Sequence, residues 1–209
     1  NLAGTFENYD FLNLTGMTSW GQYLEKSWFA FCKKVFFGSE TLRMMAIRNR
    51  MMTVGKSVVT GLAFNSEDVY NTIDYHPKEK KDIVMFPHRW DTEKRPEIFL
   101  KVAKKIHGIN PNIKFIITTG RKDLRGTASM DEALRLQKQG VVDIKFALPK
   151  PEYYKLLANA KIVFSSALQD TVGNAMMESI THGCTPVATD EVSYHEYLPQ
   201  NFLWHNVDE

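Results

Sequence analysis

Cysteine is scarce. Cys32 and Cys184 are the two thiols in 209 residues, far apart and without metal-ligand spacing around either. That argues against a disulfide framework or a zinc site and leads us to expect a reducing, cytoplasmic setting. Long apolar runs are missing too: none approaches the ~18 to 20 residues a bilayer crossing needs, so no membrane span is expected. The N-terminus lacks the basic-then-apolar order of a secretory signal. Nor is there an excess of one charge. Lys and Arg number 26 against 24 Asp and Glu, a formal net charge of +2 with a pI near 8.4. This is too little for a protein that coats nucleic acid, although a local basic groove is compatible with it.

What is present suits a globular chain long enough to bury a core. Hydrophobic residues at 44% and charged residues at 24% exclude unfolded and fibrous classes. The chain opens on Asn1 rather than Met and closes at Glu209 just after a strand-like run, so a piece of a longer protein is expected.

From Lys81 onward, short apolar runs alternate with amphipathic stretches of helical length, the sequence form of βα units around a parallel sheet. Strands are predicted at 83–86, 113–118, 141–146, 162–165, 186–189 and, at an edge, 202–204. Helices are predicted at 96–106, opened by Pro96 with Ile98, Phe99, Val102 and Ile106 on one face, and at 129–139, 151–158 and 173–182, the last closed by Gly183. A helical turn is predicted at 193–198. Residues 1–75 are less regular. They read as the remnant of another α/β domain with a helix near 20–30, a strand at 35–37, a helix at about 39–50 and a last strand at 56–60. The polar segment 74–81 is the expected linker, and 76–209 the expected Rossmann-like domain. The Met44–Met45 and Met51–Met52 pairs, with Trp20 and Trp28, read as helix packing or an interdomain face.

In such a sheet ligands bind beyond the carboxyl ends of the strands, where loops and helix N-termini gather. The segments falling there are 87–90, 119–121, 148–150, 166–173 and 190–194, rich in small, polar and basic residues. Most specific is Asp170–Thr171–Val172–Gly173–Asn174–Ala175–Met176–Met177–Glu178, two carboxylates separated by seven residues at the start of a helix. Asp170 falls in the loop before the helix and Glu178 inside it. Gly173 lets backbone approach a ligand, and the neighbouring N–H groups with the helix dipole attract a diphosphate or sugar hydroxyls. The plain alternative makes Asp170 a cap and Glu178 an exposed helix residue. Met176, Met177, Ile180 and Cys184 around Glu178 argue against it, because an unpaired acid is costly in apolar surroundings.

Asp170 to Glu178, followed by Ser179–Ile180–Thr181–His182–Gly183–Cys184–Thr185–Pro186, resembles the acid-x7-acid signature of retaining glycosyltransferase family 4, with Asp170 in place of the commoner Glu. Phe86–Pro87–His88–Arg89–Trp90, followed by Lys94, resembles the same family's first strand and loop. A closer likeness is to the tRNA-queuosine mannosyltransferase group, carried by 87–90 with Lys94 and Pro96–Glu97, by 152–157, by Ser165–Ser166–Ala167, and by Tyr194–His195–Glu196. The resemblance implies the C-terminal, nucleotide-sugar-binding half of a two-Rossmann-domain (GT-B) enzyme plus a fragment of the N-terminal half. It assigns Arg89 and Lys94 to the donor diphosphate, together with the backbone of Gly173 and Asn174. Val172 and Glu178 fall to the sugar and ribose, Asp170 to the transferred sugar, and Pro149 and Lys150 to the neighbourhood of the nucleobase.

His88 is either a catalytic hydrogen-bond donor or a packed ring beside Trp90. Thr119 and Gly120 offer donors near a nucleotide; Arg121 adds charge there or is a surface cation. Tyr153 and Tyr154 read as core and rim. His182 reads as a favourable cation at the end of its helix. The expected reaction is hexosyl transfer from a nucleoside-diphosphate sugar, with configuration retained. No Asp-x-Asp pair is present, so neither metal nor cofactor is expected. The expected acceptor is a modified nucleoside in tRNA or DNA, or a glycan. A nucleotide-sugar epimerase of the same fold and a non-catalytic nucleotide-sugar-binding module are the competing expectations.

Overall fold

The computed structural model describes residues 16–49, 52–120, 128–168, 170, 172–191 and 193–205. The chain forms two compact units. The first comprises Asn1–Ala63, Gln169–Gly173 and Glu191–Tyr197; the second comprises Phe64–Leu168, Asn174–Asp190 and Leu198–Glu209.

The first unit holds helix α1 (Gly16–Phe31), strand β1 (Val35–Phe37), helix α2 (Glu40–Arg48) and strand β2 (Ser57–Val59). β1 and β2 pair in parallel, Phe36 against Val58. Phe29, Phe37, Leu42 and Ala46 form its core, with Met45 and Met52 packed against them. Met45 and Met52 thus fit the helix-packing expectation, whereas Trp28 is 61% exposed; the Trp20 side chain and Met51 lie outside the described residues. Two ends of helices are closed from a distance. Lys56 Nζ donates to the Phe29 and Ala30 carbonyls at the end of α1, a cation where the helix dipole is negative. At the start of α2, Ser39 accepts from Leu42 N–H, while the Glu196 carboxylate accepts from Glu40 N–H at 2.9 Å and Thr41 N–H at 2.8 Å. Burial opposes ionisation of Glu196, but these bonds and the Thr41 hydroxyl outweigh it and lower its pKa.

The second unit is a six-stranded sheet in the order β5-β4-β3-β6-β7-β8, every neighbouring pair parallel. The strands are β3 (Lys81–Phe86), β4 (Lys114–Thr119), β5 (Val142–Phe146), β6 (Ala160–Ser165), β7 (Thr185–Thr189) and β8 (Leu203–Trp204). Ile83–Phe86 is buried without alternation, as befits a central parallel strand covered on both faces. Helices α4 (Pro96–Ile109), α5 (Ala128–Lys138), α6 (Lys150–Asn159) and α7 (Asn174–Thr181) join the strands. Phe86, Phe99, Phe115 and Phe164 meet at ring separations of 5.0 to 6.0 Å in the core. The expected Rossmann-like parallel sheet is therefore present, with element ends displaced by a few residues.

Two expectations are corrected here. Helix α3 (Ser66–Asn71) was not anticipated; it buries no residue and so carries no apolar stripe, but Asn65 caps it by accepting from Asp68 N–H. Segment 74–81 is not a free linker but part of the second unit. Tyr75 bonds Asn159 at 3.0 Å, His76 stacks on Tyr70 at 3.8 Å, and Lys80 donates to three carbonyls at the ends of α6 and α7.

Candidate functional site

Because all six strands of the second unit run the same way, their carboxyl ends share one rim. The strand order reverses between β3 and β6, which makes that point of the rim the topological switch point where ligands enter α/β sheets. His88, Arg89 and Lys94 follow β3, Thr119 and Gly120 end or follow β4, Pro149 and Lys150 follow β5, and Asn174 and Glu178 lie on the helix after β6. These expected site residues are thus brought to one edge. Arg121 lies outside the described residues.

The loop after β3 is rigidly built. Trp90 is 3% exposed, rests edge-on against Phe86, and donates its indole N–H to Ser129 Oγ at 3.1 Å. A single 3₁₀ turn, Thr92–Lys94, follows. It ends in Arg95, whose φ of 45° is left-handed, an uncommon conformation for a residue with a side chain. Arg89 reaches outward and pairs with Asp91 at 3.2 Å and Glu93 at 2.7 Å. Exposed pairs of this kind contribute little, so an incoming anion displaces them at low cost. Lys94 is buried in the loop, and His88 packs edge-on against Phe86 at 5.0 Å. Ala147, just past β5, is the other non-glycine residue with left-handed φ among the described residues, at 48°. Its N–H donates to the Thr119 carbonyl at 2.8 Å, while the Thr119 hydroxyl is buried with no partner among the described residues.

Glu178 does not occupy the exposed side of its helix; its side chain is 13% exposed. The Tyr154 hydroxyl donates to Glu178 Oε1 at 3.0 Å, and Lys150 Nζ forms an ion pair with the same oxygen. The ammonium also lies over the Tyr153 and Tyr154 rings, 5.5 and 5.1 Å from their centres. Burial pulls the Lys150 pKa down, but the Glu178 bond and charge outweigh it and leave it raised. Burial, then the Glu178 charge, raises the Tyr154 hydroxyl. Tyr154 therefore keeps its proton and remains the donor to Glu178. Sequence reasoning had treated Tyr154 as core and rim, and Lys150 through its backbone alone. No pattern in the sequence joins either side chain to Glu178; the one cue was a Lys-Pro-Glu-Tyr-Tyr run beginning beyond a strand end.

The end of α7 corrects the expectation for His182. Gly183 adopts φ 79° and donates to the Ile180 carbonyl, and Cys184 donates to that of Ser179, a glycine-terminated helix end. The cation there is Lys80. Its ammonium donates to the carbonyls of Leu157 at 3.2 Å, Ala158 at 2.7 Å and His182. His182 is instead 5% exposed, with both ring nitrogens unpartnered and its ring centre 4.8 Å from that of Tyr154. Burial, then the His76 and Lys80 charges, push its pKa down to about 4, so the ring is neutral at pH 7. The unfolded chain, with an ordinary histidine pKa, takes up that proton first as pH falls. Stability attributable to the neutral ring is thus present above about pH 6.5 and lost as pH falls through about 4. A His182→Phe variant is expected to lose less melting temperature than the unsubstituted chain between pH 7 and pH 4, as read by circular dichroism. Parallel curves would refute the assignment.

The first unit carries the other acid. Asp170 Oδ1 accepts from Gly173 N–H at 3.1 Å and Oδ2 accepts from the Tyr194 hydroxyl at 2.9 Å. Asp170 therefore does serve as a turn cap through one oxygen. Gly173 has φ 73°, a conformation that a side chain would strain. Tyr194 is fully buried, and the Tyr197 hydroxyl donates to the Val172 carbonyl at 2.7 Å. Burial and then the Asp170 charge push Tyr197 far above the usual phenol range. These tyrosines, which set the Asp170–Gly173 turn, were not singled out by chemistry. Among the described residues no three His, Cys, Asp or Glu side chains are grouped as metal ligands, and no helix is long and apolar enough to cross a membrane.

Comparison with known proteins accords with this geometry. A tRNA-queuosine alpha-mannosyltransferase of Drosophila melanogaster is 28% identical over 127 residues, covering 60% of this chain and 33% of that protein. The structure of TarM, from S. aureus, superposes with a TM-score of 0.75 at 18% identity, over 98% of this chain and 40% of TarM. HepE of Anabaena, solved with UDP and glucose, gives a TM-score of 0.72 at 14% identity, over 88% of this chain and 52% of that one. The chain thus spans about a third of the curated relative it matches, and it shares its fold with part of these larger structures. Residues 72–203 match the family described as glycosyl transferases group 1, and the chain belongs to that family.

Proposed function

We propose that the chain is the nucleotide-sugar-binding part of a retaining glycosyltransferase that moves a hexosyl group from a nucleoside-diphosphate sugar to an acceptor hydroxyl without a metal. The observation that carries this is the switch-point rim, where the cationic loop after β3 and the helix bearing Glu178 follow adjacent strands. Arg89 and Lys94 neutralise the diphosphate, Arg89 by its forked set of donors, and the N–H of Asn174 adds the positive end of α7. Glu178, pinned by Tyr154 and paired with Lys150, accepts from donor hydroxyls. The family resemblance assigns Asp170 to the transferred sugar, and the backbone of Val172 and Gly173 to the sugar and diphosphate. His88 donates a hydrogen bond to a phosphate or to the transferred sugar, and Thr119, Gly120, Pro149 and Lys150 line the nucleotide end.

As the anomeric carbon–oxygen bond lengthens, the sugar gains oxocarbenium character and the departing diphosphate gains charge. Fixed cations and amides favour that state over the bound donor. The likeness to the tRNA-queuosine alpha-mannosyltransferase supports a modified nucleoside in tRNA as acceptor. The N-terminal stretch of the first unit, Asn1–Ala63, is proposed to derive from the acceptor-side domain, and the protein to act in the cytoplasm.

A thermal-shift screen of nucleotide sugars tests the donor assignment, since selective binding raises the melting temperature. Arg89→Ala is expected to weaken the selected nucleotide sugar about tenfold, the scale of one charge-assisted bond. Binding unchanged in that variant would remove Arg89 from the diphosphate site. Activity of the longer protein abolished by EDTA and restored by manganese would overturn the metal-free mechanism. Product analysis without acceptor separates transfer from epimerisation.

A further inference from the structure

We infer that Arg95 and Ser166 are positioning residues that hold Lys94 and its loop at the phosphate end of the rim, an inference that rests on the donor site proposed above. The two loops that flank the switch point are stitched together. Ser166, fully buried, donates its hydroxyl to the Lys94 carbonyl at 2.8 Å and lies 3.0 Å from the Arg95 carbonyl. Arg95 Nε donates back to the Ser166 carbonyl at 2.6 Å, its guanidinium reaches Thr189 Oγ1 at 3.4 Å, and its carbon lies 5.8 Å from the Trp204 ring centre. Leu168 N–H donates to the Glu93 carbonyl at 2.8 Å. Three consecutive residues of the loop after β3 are therefore fixed by the loop after β6.

The backbone explains why such fixing is needed. Arg95 is left-handed at φ 45° yet is followed directly by Pro96, the first residue of α4. A strained residue persists only where its surroundings over-determine it, and such residues gather where geometry serves a ligand. The turn changes the chain direction between the 3₁₀ turn that carries Lys94 and the helix that follows. Without the Ser166 hydroxyl, the bond to the Lys94 carbonyl is lost and the Arg95 carbonyl keeps Ile98 N–H at 3.0 Å, so the tie between the two loops weakens and Lys94 can shift with its turn. Neither Arg95 nor Ser166 needs to touch the donor for this to matter.

The expected result is a loss confined to the phosphates. In the 209-residue chain, Ser166→Ala is expected to weaken UDP or GDP, whichever the unsubstituted chain binds, by about tenfold, the scale of a misplaced contact group. The affinity for the matching nucleoside, uridine or guanosine, should stay within about twofold, because the residues proposed for the base end, Thr119, Gly120, Pro149 and Lys150, follow other strands. Arg95→Asn, which tolerates the left-handed conformation, is expected to do the same through loss of the guanidinium bonds. The double variant should lose less than the sum, because both act on one turn.

Calorimetry reads all three, and Arg95→Asn keeps the question open if Ser166→Ala fails to fold. Equal losses for diphosphate and nucleoside, or diphosphate affinity unchanged in the folded variants, would overturn the positioning role while leaving the donor site standing. An unsubstituted chain that binds neither UDP nor GDP nor any other nucleoside diphosphate would overturn the donor site, and this inference with it.

Discussion

Glu178→Ala is expected to reduce the affinity for the nucleotide-sugar donor by about 10- to 100-fold, the range of one or two charge-assisted hydrogen bonds. The size follows from the setting of the acid. Its side chain is 13% exposed, so bonds to it are less diluted by water than those of a surface carboxylate. Tyr154 and Lys150 hold it on the helix after β6, so little ordering remains to be done when hydroxyls arrive. Glu178→Gln separates two contributions: the amide oxygen still accepts from Tyr154, whereas the charge that holds Lys150 is gone. Its loss should fall between those of Ala and the unsubstituted chain. Calorimetric titration of all three with the donor found by thermal shift gives the answer, and equal affinities across the series would take Glu178 out of the binding site.

The largest expected effect on stability comes from Lys80→Met. The methionine keeps most of the stem but leaves the carbonyls of Leu157, Ala158 and His182 without the ammonium they share. The Leu157 carbonyl keeps Ala160 N–H and the Cys184 thiol, but losing the ammonium at Ala158 and His182 should cost about 2 to 4 kcal/mol, or roughly 5 to 15 °C in melting temperature for a chain of this length. Lys80→Arg should recover only part, since Gly183 approaches the Lys80 stem closely: a Cβ there would meet Lys80 Cε at 3.4 Å. A melting temperature unchanged in Lys80→Met would show that solvent satisfies these carbonyls.

The sheet was legible because its physics is local. Ile83–Phe86, Ile162–Ser165 and Pro186–Thr189 are short apolar runs that only a doubly covered strand accommodates, and Pro96 and Gly183 mark helix limits by backbone constraints alone. The acid pair and the Arg89–Lys94 spacing were visible for the same reason, each being a pattern within one segment. What escaped was the matching of side chains across segments. Lys80 looked like a linker cation because charge in a polar run says nothing of carbonyls brought to it by the ends of α6 and α7. His182 looked like a helix-end cation until Tyr154, Tyr70 and His76 enclosed it. Tyr154, Tyr194 and Tyr197 each place a hydroxyl on a residue two dozen or more positions away, a relation that periodicity does not encode. Helix α3, held by an Asn65 cap and without a buried residue, has no apolar stripe to announce it.

The reversal of strand order has a temporal side. β3 emerges first from synthesis yet finishes in the middle of the sheet, where Val84 waits for Ile162 and Met85 for Val163. One flank, β3 with β4 and β5, can assemble early, but its other edge stays open until β6 arrives. Closing that seam is a long-range event, slow to find and vulnerable to competing partners meanwhile. The proposed phosphate cradle is therefore among the last features to mature, and substitutions at the β3–β6 seam should show up as poor yield before they show up as weaker nucleotide binding.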